Sequence, residues 1–142
     1  MKVLLKRAYA PPAAADGVRV LVDRLWPRGI TREALRLDAW LKALAPSDDL
    51  RHWYHAHREQ WRTFRNRYLA ELAAPEAEAA LEELHGLANG SKPLTLVYSS
   101  RDDVRNNAVV LKELLDGVRK PPASTGPVRA VAAGRKAARA KR

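Results

Sequence analysis

Short apolar runs stand at both ends of the first hundred residues, and apolar positions at helical spacing fill the stretch between them. KVLLKRAY (Lys2 to Tyr9) predicts a strand, followed by a Pro- and Ala-rich loop closed by the turn pair Asp16-Gly17. VRVLVDRL (Val18 to Leu25) is apolar at four of its first five positions, which suits a strand covered on both faces of a parallel sheet. Pro27 ends it, and Arg28-Gly29 begins the next turn. Thr31 can cap a short helix, after which Leu35, Leu37, Trp40, Leu41 and Leu44 carry the apolar pattern on to Pro46. Ser47 is a second N-cap, with Asp48 and Asp49 favourably placed in the first turn behind it and Leu50, Trp53 and Tyr54 on the inner face.

Trp61, Phe64, Tyr68 and Leu72 recur at spacings of three, four and four, the stripe of an amphipathic helix and a core rather than a base-stacking surface. Arg58, Arg62, Arg65 and Arg67 fall on what should be its solvated side. Pro75 opens a further helix that Asn89-Gly90 closes, with His85 at its surface. LTLVYSS after Pro93 reads as a buried strand, and a last helix is expected from about Asp103 to Asp116. The order of elements predicts an α/β fold: a small, mainly parallel sheet with helices packed around it and a helix-rich middle segment.

Charge divides the chain. The net charge is +10 over 142 residues, yet residues 119 to 142 hold eight basic side chains and no acidic one, leaving the rest nearly neutral. That stretch has almost no large apolar side chains, so we expect one domain over residues 1–118 and a disordered basic tail over 119–142. The tail could neutralise nucleic-acid phosphates or serve only solubility. No apolar run approaches the roughly 20 residues of a membrane span, and the amino terminus lacks a signal-peptide pattern. The chain has no Cys, which excludes thiolate chemistry and Cys-ligated metal and fits a cytoplasmic setting.

Ligands in open α/β sheets sit beyond the carboxyl ends of the strands. One such end supplies Asp23, Arg24, Trp26, Arg28 and Gly29; another supplies Tyr98, Ser99, Ser100, Arg101 and Asp102, with Asn106 and Asn107 close behind. If the two strands are parallel neighbours, these groups meet. Arg24, Arg28 and Arg101 would grip a phosphate, a nucleotide or another small anion, assisted by Tyr98, Ser99 and Asn106. Asp23 and Asp102 could exchange a proton, or simply hold an arginine in place. The structural alternative is that Asp23 and Arg24 only knit the strand end to its neighbours. There is no GxGxxG, P-loop or local nucleophile–base pair, so no cofactor is expected and the question of an enzyme stays open. His52 and His55 lie three apart on a helix and could share a metal, with His57 off that face, but a solvent-facing or structural role is the stronger reading and no metal is expected.

VLVDRLWPRG (Val20 to Gly29), LAPSDDLRHWY (Leu44 to Tyr54), WRTFRNRYLAEL (Trp61 to Leu72) and LTLVYSSRDDVRNNAVVLKELL (Leu94 to Leu115) resemble the YeaO-like branch of domain-of-unknown-function family 488. The resemblance runs in order through nearly all of residues 1–118 and does not reach the tail. It implies a compact bacterial cytosolic α/β domain and brings no reaction with it. Its recurrent polar positions match Asp23, Arg24, Arg28, Arg101, Asp102 and Asn106 here. Near Trp53 the family often has one His followed by Asp-Pro, whereas this chain has His55, Ala56, His57 and Arg58. More distant branches carry Cys and His after the last strand, where this chain has Ser99, Ser100 and Arg101, so a thiol mechanism does not transfer.

Overall fold

The centre of the molecule is a strand buried along its whole length, Leu94–Tyr98, which is the last strand in the chain (β4). It pairs in parallel with Val3–Arg7 (β1) on one side and with Val18–Leu21 (β2) on the other. A two-residue strand, Ala39–Trp40 (β3), closes the sheet beyond β2, giving the all-parallel order β1-β4-β2-β3. These relations come from a computed structural model that describes residues 2–117; the expected basic tail lies outside the described residues.

The side chains of β2 and β4 alternate between two apolar clusters, as the period of a strand requires. Val20, Val22, Leu94, Leu96 and Tyr98 enter the larger core. It is completed by Asp48–Ala56 (α2), Trp61–Glu71 (α3), Pro75–Ala88 (α4) and Asn107–Leu115 (α5). Leu21 and Val97 face the other way, against Ala8, Leu35, Trp26 and Trp40 around the one-turn helix Arg32–Leu35 (α1). Both faces are therefore covered, which explains the continuous apolar runs of these two strands.

The caps lie where the sequence places them: the hydroxyls of Thr31 and Ser47 accept the N–H groups of Ala34 and Leu50. Glu71 at the end of α3 accepts both the N–H and the hydroxyl of Ser47, tying α2 to α3. Phe64 and Tyr68 are buried, in keeping with the core reading of their stripe. Burial pushes the Tyr68 hydroxyl well above its ordinary pKa, with the charges of Asp23 and Glu71 adding to the shift.

The short helix capped by Thr31 forms as expected, and three other expectations, two element bounds and one exposure, are corrected. Within the apolar pattern from Leu35 to Leu44, Arg36 adopts a left-handed φ of 53°, α1 stops, and the chain returns as β3. The second strand ends at Leu21 rather than Leu25, and the last helix starts at Asn107 rather than near Asp103. His85 is half-buried rather than at the surface, and that burial lowers its pKa. No helix among the described residues is long and apolar enough to cross a membrane.

Candidate functional site: a cleft of arginines at the carboxyl edge of the sheet

Because β2 and β4 run in parallel register, their carboxyl ends emerge side by side. The Val22 N–H still reaches the Val97 carbonyl at 3.1 Å, and the next residue, Asp23, clasps the two ends together. One oxygen of its carboxylate accepts the Ser99 N–H at 2.9 Å and hydroxyl at 2.7 Å. The other accepts the Asn107 amide at 3.1 Å, and that amide also donates to the Val22 carbonyl. The loop after Asp23 is fixed by two indoles: Trp40 donates to the Asp23 carbonyl and Trp26 to that of Ile30. The two rings meet edge to face at 5.5 Å, and Gly29, at φ 82°, supplies a left-handed turn few other residues adopt.

A second wall comes from the loop between β4 and α5. Asp102 accepts the N–H groups of Val104 and Arg105, both at 2.9 Å, and pairs with Arg58 at 3.2 Å. The two backbone N–H bonds, followed by Arg58, hold its carboxyl below the ordinary carboxylate pKa despite partial desolvation. Asn106 caps α5 by accepting the Val109 N–H and donates to the Asp102 carbonyl. The third wall is α2, whose Arg51, Tyr54 and His55 face the same space, with Arg58 just past its end.

Together these walls enclose a cleft of about 430 Å³, within the roughly 300–1,000 Å³ usual for small-molecule sites. Five arginines line it: Arg24, Arg28, Arg51, Arg58 and Arg105. Asp23 is its one acidic lining residue, and both of that carboxylate's oxygens are already hydrogen-bonded. Asp48 contacts Arg51 at 3.3 Å and lies 3.9 Å from Arg24. Arg28 and Arg105 make no ion pair among the described residues. Two buried side-chain polar atoms among the described residues lack a hydrogen-bond partner, Arg24 Nε and the Tyr54 hydroxyl, and both residues line this cleft.

Of the residues singled out from sequence, Asp23, Arg24, Arg28, Ser99 and Asn106 line the cleft; Tyr98, Arg101 and Asp102 do not. Tyr98 is buried in the core, which raises its hydroxyl pKa, and Arg101 is exposed on the following turn. Arg51, Arg58 and Arg105 were not singled out as anion contacts from sequence, and His55 was weighed only as a metal ligand; Arg51 and His55 share a face of α2 at a spacing of four, while Arg58 and Arg105 come from loops. His52 and His55 are both exposed, while His57 stacks on Trp53 at 4.7 Å with Nδ1 2.7 Å from that residue's carbonyl oxygen. Among the described residues no group of three or more His, Cys, Asp or Glu side chains is arranged to hold a metal.

Comparison with known proteins places this architecture in a family. The sequence model of the family described as the inactive DUF488-N3 subclade matches residues 2–124. The chain is 45% identical over 115 residues to the uncharacterised protein YeaO of Escherichia coli K12, covering 81% of this chain and 97% of that protein. It is 42% identical over 116 residues to the uncharacterised proteins Mb3100c of Mycobacterium bovis and Rv3073c of Mycobacterium tuberculosis, covering 82% of this chain and 95% of each. No solved structure matches. With the match running from the first strand past the last helix, the chain belongs to the YeaO-like DUF488 family.

Proposed function

We infer that the chain binds a small phosphate-bearing anion in the cleft at the carboxyl edge of its sheet. The observation that carries this reading is the imbalance of the lining: five guanidinium groups face a space whose one lining carboxylate is already occupied by Ser99 and Asn107. Guanidinium groups bind phosphate oxygens through charge-assisted, bidentate hydrogen bonds, and a partly closed cleft strengthens them. A buried donor without a partner, such as Arg24 Nε, is a cost that an anion or an ordered water would relieve.

Binding rather than turnover is the reading we adopt. Asp23 spends both oxygens on the clasp, and Asp102 shapes the turn that carries Arg105 while steadying Arg58. In this reading both are positioning residues. The description of the matched subclade as inactive is in keeping with it.

The test is calorimetric titration of the full chain with pyrophosphate at low and at physiological salt. Arg28→Ala should weaken binding by roughly tenfold to a hundredfold, the range for losing a hydrogen bond to a charged group. Its unfolding free energy should stay within about 0.5 kcal/mol, because Arg28 is exposed and makes no ion pair among the described residues. Since the tail is untouched in this variant, the difference reports the cleft alone. Equal affinity in wild type, Arg28→Ala and Arg105→Ala would refute the reading.

A further inference from the structure

Single exposed apolar side chains are ordinary on a protein surface; their clustering at one place is not. Three large apolar side chains are exposed among the described residues: Tyr9 at 46%, Leu25 at 63% and Val104 at 69%. Each stands on a loop leaving the carboxyl end of a strand, after β1, β2 and β4 respectively. Tyr9 and Leu25 line the arginine cleft, and Val104 adjoins the lining residue Arg105. Two of the three exposed apolar side chains, Tyr9 and Leu25, thus line a cleft that also holds five arginines.

Tyr9 is also held more firmly than an exposed side chain needs. Its hydroxyl donates to the backbone carbonyl of Arg28 at 3.0 Å, joining the ring to the loop that carries a cleft arginine. The Arg7 guanidinium lies 5.1 Å from the ring centroid. Arg7 is itself fixed, donating to the carbonyls of Ser100 at 2.9 Å and Ser99 at 3.3 Å. One face of the ring is therefore backed by an anchored cation, the residue as a whole is 46% exposed, and no second ring or cation stacks on it among the described residues. A flat π system laid on that free face would complete a guanidinium–ring–ring stack of the kind that binds nucleobases.

The charge balance narrows the anion. Five cleft arginines stand against three carboxylates: Asp23 in the lining, Asp48 beside Arg24 and Arg51, and Asp102 on Arg58. With Arg7, which backs the lining ring of Tyr9 and makes no ion pair among the described residues, the cleft keeps a positive excess that a phosphate monoester, at about −1.5 to −2 near neutral pH, would largely offset.

We propose that the cleft takes a nucleoside monophosphate, its base stacked on the free face of Tyr9 and its phosphate monoester held by Arg28 and Arg105. This rests on the anion-binding reading above and adds the body of the ligand to its charge. Arg28 and Arg105 are the lining arginines without an ion pair among the described residues, so they meet the phosphate with no internal contact to break. Arg28 also couples the two halves of the ligand, since its carbonyl anchors the ring on which the base lies.

The full chain is titrated calorimetrically with adenosine 5′-monophosphate and with ribose 5-phosphate, which have the same charged group and differ in the base. The basic tail responds alike to the two and drops out of their ratio. We expect the nucleotide to bind about tenfold more tightly, the lower range for one stacked base. Tyr9→Leu should reduce that ratio to about twofold or less, whereas Tyr9→Phe keeps the ring and most of the ratio; both variants lose the hydroxyl bond to the Arg28 carbonyl, so the difference between them reports the ring alone. If the two compounds bind wild type equally, or if Tyr9→Leu keeps the tenfold preference, the stacking platform is refuted and anion binding stands. If neither compound nor pyrophosphate binds, the anion-binding reading falls first and takes this one with it.

Discussion

The two ends of the sheet both carry arginine beside aspartate, and they use the pair in opposite ways. At the amino end Arg19, only 3% exposed, donates to Asp16 at 2.7 Å and twice to the Leu35 carbonyl, at 2.8 and 3.1 Å. Asp16 also accepts Lys6 and the Ala13 N–H, and its backbone carbonyl accepts the Thr95 hydroxyl. The charges there are well satisfied by the protein itself. At the carboxyl end Arg28 and Arg105 have no carboxylate partner among the described residues, and Arg24 Nε is buried without a hydrogen bond. The contrast separates architecture from binding: a saturated arginine holds the fold, and an unsaturated one in a cleft awaits a guest.

The comparison is broken most severely by Arg19→Met. Removing Arg19 leaves Asp16 with Lys6 as its remaining counter-charge and strips the Leu35 carbonyl of both its guanidinium donors, and we expect a loss of about 3 kcal/mol in urea unfolding. Survival at wild-type stability would show that the amino end is not a closed structural network. Asp23→Ala comes next. It deletes three side-chain hydrogen bonds that join β2 to β4 and α5, with an expected loss of about 2–3 kcal/mol, together with weaker pyrophosphate binding. An effect on binding alone would make Asp23 a ligand contact rather than a clasp.

The smallest effect is on acid stability. Burial would raise the Asp16 pKa, but the Ala13 N–H, Lys6 and Arg19 outweigh it and hold the carboxyl below its ordinary value near 3.8. A carboxyl depressed on folding stabilises the native state above its unfolded pKa. That contribution is lost as pH falls through the lowered folded value. Melting temperature followed from neutral pH down to about pH 3 should therefore drop less steeply in Asp16→Asn than in wild type, on a lower starting value. Parallel curves would show that another carboxyl governs acid unfolding.

Much of the fold was legible because its signals were local. The β-branched run at Val18, the Ser47 cap and the Trp61–Tyr68 stripe each declare their element within one or two turns of chain. The third strand was not, because it has two residues and its partner, β2, is supplied by another part of the sequence. Leu35, Leu37, Trp40, Leu41 and Leu44 imitate a helical stripe until Arg36 breaks it with a left-handed turn. The site divides similarly. DRLWPRG announced Asp23, Arg24 and Arg28, but whether Arg101 or Arg105 faces the cleft turns on Asp102, whose carboxylate winds the backbone before α5. Asp102 was read either as a candidate acid or base or as the holder of an arginine; its bonds are to backbone N–H groups and Arg58.

The order β1-β4-β2-β3 also bears on how the molecule is made. Val3 and Val18 both align with Leu94, so neither of the first two strands has its main partner until that residue has been synthesised. Emerging from the ribosome, four-fifths of the described chain must wait with its apolar strands exposed, held only by helices that form locally. Such long-range closure slows folding. A nascent chain arrested before Leu94 should be readily cut by protease, and one extended through α5 should resist it.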